Sequence, residues 1–242
     1  MTRTLATAGR VGAQLTHDRR SLALILILPS LLLWLSKYVF DGSPEVFVRI
    51  GPQLLGLFPF ILMFLLTSVT MVRERTSGTL ERLLTTRLRR GEFIAGYALA
   101  FGVAGLIQAV VTTTVAIWAL DVDVHTPWVL LVFAVGNALL GTSLGLLASA
   151  FARTEFQAVQ FMPLVVIPQL LLCGLLAPRD SMAQVLTWIS DVLPLSYAAD
   201  SFTRITQVSG WNSDFTFDLT VVLGFTVVCV GLAALTLRRR TS

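Results

Sequence analysis

The chain has 242 residues, of which 55% are hydrophobic and 13% are charged, and its formal net charge is +4. Soluble domains carry about a quarter charged residues, so this composition excludes an ordinary soluble domain and predicts a polytopic membrane protein. The two cysteines, Cys173 and Cys229, lie in apolar runs and indicate neither a disulfide framework nor a metal site.

The first segment, residues 1–20, places apolar residues at helical spacing among arginines. The stripe consists of Leu5, Ala8, Val11 (or Gly12) and Leu15. It predicts an amphipathic helix lying on the membrane surface, and the alternative is a solvated basic tail. Arg19 and Arg20 precede an apolar run. Because no small-residue cleavage site follows that run and further spans come after it, we expect a transmembrane helix rather than a signal peptide.

Six apolar runs are long enough to cross a bilayer, whose core of about 30 Å needs about 20 helical residues. They cover residues 22–40, 51–72, 94–120, 128–150, 157–177 and 217–237. Barrel strands would alternate in polarity over about ten residues, whereas these runs are continuously apolar. The sequence therefore predicts an all-α membrane protein with six transmembrane helices.

Basic residues determine the predicted orientation, because Lys and Arg favour cytoplasmic loops. If both termini are cytoplasmic, fourteen of the eighteen basic residues lie inside. The four outside are Lys37, Arg49, Arg179 and Arg204. We therefore expect a multi-pass protein with both termini in the cytoplasm. The preference for Arg over Lys is typical of a GC-rich bacterial genome, and so we expect a bacterial cytoplasmic membrane.

Motifs of catalysis and metal binding are missing from this sequence. His17 and His125 fall in loops on opposite sides of the predicted membrane, and neither Gly-x-Ser-x-Gly nor a P-loop occurs. We expect no catalytic residue, no metal and no cofactor in this chain, and no ATPase site of its own. Uphill transport would then draw its energy from a partner or an ion gradient.

Polar residues near the middle of the predicted spans are neutral amides, and no ionisable residue is placed deep within any span, which speaks against an ion-coupled carrier. They are Gln108, Asn137, Gln157, Gln160 and Gln169. Each one either hydrogen-bonds between helices, at about 0.6–2 kcal/mol, or lines a pathway. The candidates for cargo contact lie in the fifth span and are Gln157, Gln160, Phe161, Met162 and Gln169.

Small residues and prolines indicate how the spans pack and bend. Gly141, Gly145 and Ser149 recur every four residues, as do Ala98 and Gly102, and both sets predict close helix packing. Pro163 and Pro168 predict a bend in the fifth span, as Pro29 and Pro59 do in the first and second. Such a bend is either a gate or a simple kink.

Residues 178–210 are too apolar for a loop and too interrupted for a span. One short helix is predicted from Met182, Val185, Leu186 and Ile189. A second begins at Pro194, with Tyr197, Asp200, Ser201 and Arg204 on its polar side. We expect two re-entrant helices that dip into the outer leaflet. The candidates for an outer gate are Pro194, Tyr197, Asp200 and Arg204.

Charge is concentrated in residues 73–93, RERTSGTLERLLTTRLRRGEF. Thr79 stands where it could cap a helix, and a stripe follows it, made of Leu80, Leu83, Leu84 and Leu88. The pattern predicts a short amphipathic helix on the cytoplasmic side. That helix either binds a soluble partner or rests on anionic lipid headgroups.

The run from Arg73 to Leu84, RERTSGTLERLL, closely resembles the cytoplasmic loop of the ABC-2 family of transporter permeases. These are the membrane subunits of type V exporters, such as the daunorubicin-resistance permeases. Residues 175–204, which include LPLSYAADSFTR, look like the outer re-entrant element of the same family. Two positions depart from many relatives, which have a proline near Thr86-Arg87 and a lysine where Tyr97 stands.

The resemblance implies that residues 73–92 are a coupling helix that docks on a separate ATP-binding subunit. The matching residues are Arg73, Glu74, Gly78, Thr79, Leu80, Glu81, Leu83 and Leu84. It also implies that residues 1–20 are a connecting helix and that residues 1–242 form a single transmembrane domain. Two ATPase copies would hold ATP and Mg, and two permease copies, identical or related, would pass cargo along spans two and five.

We therefore expect an exporter permease for an amphipathic, drug-like or lipid-like cargo, in contact with membrane lipids and not with nucleic acid. One alternative is a non-transporting, membrane-embedded interaction or assembly protein. The other is an ion-coupled secondary transporter.

Overall fold

The computed structural model describes residues 2–77, 89–120, 122, 126–208 and 210–236. Of the described residues, 86% are helical, and none of them forms a strand. The helices in chain order are α1 (Thr2–His17), α2 (Arg19–Leu26), α3 (Leu28–Val39), α4 (Pro44–Thr76), α5 (Arg90–Trp118), α6 (Pro127–Phe151), α7 (Glu155–Leu172), α8 (Gln184–Val192), α9 (Pro194–Ile205) and α10 (Ser213–Thr236). A short 3-10 turn, Arg179–Ser181, precedes α8. The predicted all-α class is confirmed.

Within the described residues, six helical stretches are long and apolar enough to cross a membrane, as predicted. Two of their limits differ from the expected ones by five residues or more. Helix α4 begins at Pro44 rather than at residue 51. Helix α7 ends at Leu172 rather than at residue 177, because Gly174 has a φ of 94°, in the left-handed region that favours glycine.

Proline affects the spans unequally. The first span is divided into α2 and α3 at Ile27, shortly before Pro29, which has no backbone N–H to donate. Helix α4 continues through Pro59, and α7 continues through Pro163 and Pro168. A break therefore occurs only in the first of the three spans for which prolines predicted a bend.

Helix α6 occupies the centre of the bundle and packs on α4, α5 and α10. Its glycines allow the backbones to approach closely. A Cβ on Gly145 would lie 2.6 Å from the carbonyl oxygen of Phe64, and one on Gly141 would overlap the carbonyl of Phe60. On α5, a Cβ on Gly102 would meet the side chain of Leu139 on α6 at 3.1 Å. The packing predicted from small residues is confirmed at these positions.

Helix α1 packs on α5 through part of its apolar stripe. Val11 and Leu15 are buried, and a Cβ on Gly96 of α5 would lie 2.6 Å from the Cβ of Thr7. Leu5 stays 57% exposed. The helix ends at His17, and the Asp18 side chain caps α2, so the predicted element over residues 1–20 is divided at this point. The apolar stripe of this helix is therefore partly covered by α5, and its placement on a membrane surface stays a prediction.

The outer element is more deeply embedded than expected. Helix α9 begins at Pro194, as predicted, but contributes Leu195, Phe202 and Ile205 to the main hydrophobic core. Its neighbour α8 keeps an exposed apolar side that includes Trp188. Helix α9 is therefore a packed member of the bundle, and α8 is the peripheral one of the two.

Candidate functional site

The last turn of α4 carries three consecutive charged residues, Arg73, Glu74 and Arg75, which we call the RER end. The residues expected to contact an ATPase beyond it lie outside the described residues: Gly78, Thr79, Leu80, Glu81, Leu83 and Leu84. Only the two ends of the expected coupling element over residues 73–92 lie within the described residues. Its first residues belong to α4, which ends at Thr76, and its last belong to α5, which begins at Arg90.

Each residue of the RER end contacts a different helix, because successive helical side chains point about 100° apart. Arg73 forms a two-pronged ion pair with Glu155 at the start of α7, with Nε–Oε1 at 2.9 Å and Nη2–Oε2 at 3.0 Å. Glu74 accepts from Arg10 of α1 at 2.7 Å. Arg75 donates from Nη1 to the carbonyl of Ser149 on α6. The end of α4 is thereby joined to α1, α6 and α7.

Glu74 lies inside this junction, since the residue is only 8% exposed. Arg10 bridges it to α5, donating also to the hydroxyl of Tyr97 at 3.1 Å, with its guanidinium carbon 5.9 Å from the centre of the Tyr97 ring. A buried carboxylate is costly unless it is paired, and Arg10 supplies the pairing. Glu74 is therefore held by Arg10 inside the junction and is not exposed at the protein surface. Its predicted part in coupling would act through α1.

The fifth-span candidates do not share one face of α7. Gln157 contributes to the start of the helix: its Oε1 accepts from the Arg153 amide at 2.8 Å, and its own amide donates to the Thr154 hydroxyl at 3.1 Å. Gln160 is exposed.

The remaining three lie at different depths of the same helix. Phe161 packs on a small buried cluster with Val72, and Met162 packs on the main core. Gln169 is buried and donates to the carbonyl of Val165 within its own helix. A pathway role for the five stays a prediction, and Gln160 is the candidate that the bundle leaves uncovered.

Among the described residues, the amides predicted in the third and fourth spans, Gln108 and Asn137, do not form the expected interhelical hydrogen bonds. Gln108 is fully buried, and among the described residues neither its amide nitrogen nor its oxygen has a partner. The side-chain oxygens of Gln53 and Asn137 are likewise unpartnered there, and both residues line a small cavity beside Phe202 of α9. Gln53 nevertheless joins α4 to α9 by donating to the Thr203 hydroxyl at 2.6 Å.

The outer-gate candidates belong to two charge clusters. Arg179 pairs with Asp200 at 2.5 Å and with Asp191. Burial raises the pKa of the Asp200 carboxyl above its usual range, against the attraction of Arg179. Tyr197 donates to the carbonyl of Asp191 at 2.6 Å, and Pro194 is buried at the start of α9.

The second cluster surrounds an acid that the sequence analysis did not single out. Asp218 of α10 is 3% exposed and accepts from Arg204 and from Ser201, each at 2.7 Å. In the sequence, the signal that could have identified Asp218 was the position of an acid within an apolar run. Arg204 is thus paired with α10, and together the two clusters link α8, α9 and α10 at one end of the bundle.

The family model for the ABC-2 type transporter matches residues 4–206. The relatives include the probable multidrug ABC transporter permease YbhR of Escherichia coli (29% identical; 67% of this chain and 46% of the relative). Others are the linearmycin resistance permease protein LnrN of Bacillus subtilis (29%; 69% and 44%) and ABC transporter G family member 20 of Dictyostelium discoideum (31%; 64% and 22%). The chain therefore aligns with less than half the length of each of these three relatives.

Proposed function

This chain belongs to the ABC-2 type transporter family, and from that premise we propose that it is the permease subunit of an ATP-driven exporter. A separate ATP-binding subunit, in two copies, would bind ATP and Mg and supply the energy. A second permease copy, identical or related, would complete the transmembrane route. The protein would sit in a bacterial cytoplasmic membrane with both termini in the cytoplasm.

The observation that supports this proposal most strongly is the junction at the RER end. Residues 78–88 connect α4 to α5, and their sequence is the charged segment that would dock on the ATPase. Arg73, Glu74 and Arg75 immediately before it contact α7, α1 and α6 respectively. A displacement of the docked segment would reach three helices through adjacent residues, which is what a subunit without its own ATPase site requires.

The proposed cargo class is supported by the exposed side of α7 and by what the relatives are named for. YbhR is named a probable multidrug permease and LnrN a linearmycin resistance permease. In this chain, α7 presents Leu164, Ile167 and Leu171 outward together with Gln160. A mostly apolar surface with one amide suits an amphipathic, drug-like or lipid-like cargo passing between two permease copies.

Co-purification tests the proposal. The tagged permease, extracted with the products of its neighbouring genes, is expected to retain an ATP-binding subunit, and Glu81→Arg is expected to release it or to abolish its stimulated ATP hydrolysis. Glu45→Arg, at the other end of α4, is the matched control and leaves both unchanged. Wild-type protein that retains no ATPase would support the interaction-protein alternative. Transport that survives ATP depletion and collapses with an uncoupler would support the ion-coupled one.

A further inference from the structure

Helix α7 is held loosely along its length. Only 17% of the residues of α7 are buried, against 61% in the apolar stretch of α4 and 72% in that of α6. It packs mainly on α4 and contains two internal prolines, Pro163 and Pro168, each of which removes a backbone hydrogen bond. Its middle therefore offers little resistance to displacement, and its position depends on how its ends are attached.

The inner end of α7 has a compact attachment. Glu155 is its first residue, and the turn before it is closed by hydrogen bonds among Arg153, Thr154 and Gln157. Beneath this turn, Ala152 and Ala158 pack on Val72 in a small buried cluster. A force applied to Glu155 thus acts on a closed turn rather than on a loose loop.

The force would come through Arg73. This residue lies in the last turn of α4, where its carbonyl accepts from the amide of Ser77, the residue directly before the 78–88 segment. Its guanidinium meets both carboxylate oxygens of Glu155, at 2.9 and 3.0 Å, and a two-pronged pair fixes orientation as well as distance. This pair links the end of α4 to the start of α7 outside the packed core.

We propose that the Arg73–Glu155 ion pair transmits movement of the 78–88 segment to α7, and that Glu155 is a positioning residue for transport. The inference rests on the proposed function, because it takes the 78–88 segment as the docking site of the ATPase. Both side chains are substantially exposed, 63% for Arg73 and 42% for Glu155. Because exposed ion pairs add little to folding stability, removing this pair is expected to stop the transmission of movement while the protein stays folded.

The test follows α7 directly in the complex purified with its ATPase subunit. A nitroxide is attached at Leu164→Cys, on the exposed side of α7, and its mobility is read by electron paramagnetic resonance with and without Mg–ATP and vanadate. Leu164 is 67% exposed, and the two native cysteines are buried. Otherwise wild-type protein is expected to show a nucleotide-dependent change in mobility.

Glu155→Arg and Arg73→Glu are each expected to lose that change while retaining the ATPase subunit, and the double swap is expected to restore it. Glu155→Gln gives the same loss with a smaller perturbation of folding. Glu45→Arg, a charge reversal at an exposed residue at the opposite end of α4, is the control and keeps the response. A full response in the single variants, no rescue by the swap, or no nucleotide response at Leu164 in the parent overturns the inference alone. A parent complex without an ATPase overturns the proposed function and the inference with it.

Discussion

Gly145→Ala tests whether the backbones of α4 and α6 must touch. The added Cβ would lie 2.6 Å from the carbonyl oxygen of Phe64 and 3.2 Å from its Cα. Because ordinary carbon–oxygen contacts in proteins lie at about 3.3 Å or more, the two helices would have to separate by about 0.7 Å. Both atoms belong to helical backbone, so no side-chain rotation relieves the overlap.

The cost follows from two opposing effects. Overpacking of a well-filled interior typically costs about 1–3 kcal/mol, while alanine gains up to about 1 kcal/mol over glycine in a helix. We expect a net destabilisation of about 1–2 kcal/mol at Gly145, which for a chain of this size lowers Tm by about 4 °C. Gly224 of α10 is the control, because a Cβ added there would have nothing within 4 Å, and its alanine variant is expected to be neutral or stabilised.

Thermal unfolding of the purified protein in detergent, followed by intrinsic tryptophan fluorescence, measures both variants. An unchanged Tm for Gly145→Ala would refute the close approach of α4 and α6. Equal losses in both variants would refute the claim that the effect arises from this contact rather than from replacing glycine in general.

Three further predictions concern charged groups. Arg10→Ala leaves Glu74 buried without its cation and is expected to destabilise the protein by about 2–3 kcal/mol. This is less than the loss of about 3–5 kcal/mol for a fully buried pair, because Arg10 is partly exposed. Unfolding of Arg10→Ala, of Glu74→Ala and of the double variant should show non-additive losses, and additive losses would contradict the pairing. Asp218→Asn is expected to lower Tm, because it weakens the hydrogen bonds from Arg204 and Ser201. Asp214→Asn, at an exposed position in the same helix, should not lower it. Equal effects of the two variants would contradict a stabilising role for the bonds around Asp218. Because burial raises the pKa of Asp200, the folded state retains a proton that the unfolded state has already lost above about pH 4. The contribution of this group to stability therefore falls as pH rises above about 4. Asp200→Asn should flatten the dependence of Tm on pH in that range. An unchanged slope would contradict the raised pKa of Asp200.

The spans were predictable because membrane insertion depends on the length of an apolar run, which is a local property of the sequence. The close approach of α4 and α6 was likewise indicated by Gly141 and Gly145, since few residues allow backbones to touch. Proline was a weaker guide. Its effect depends on whether neighbouring groups satisfy the freed carbonyl, so Pro29 accompanies a break whereas Pro59 does not.

The junction at the RER end was not predictable in this way. Arg73 and Glu155 are 82 positions apart, and Arg10 and Glu74 are 64 apart, so their pairing depends on how the helices pack. The packing of α1 on α5 was not predictable for a related reason. A helix with an apolar stripe has the same periodicity whether the stripe meets lipid or a neighbouring helix, and the sequence does not distinguish Val11 against α5 from Val11 against a membrane.

The spacing along α4 has a consequence for which changes this chain can accept. Phe64 contacts Gly145, and the RER end follows a few turns later on the same continuous helix. Inserting or deleting one residue between them would rotate everything beyond by about 100° and shift it by about 1.5 Å. Arg73, Glu74 and Arg75 would then lose their three partner helices together, whereas a substitution removes one contact at a time. We therefore expect natural variation in this stretch to change side chains while preserving the number of residues.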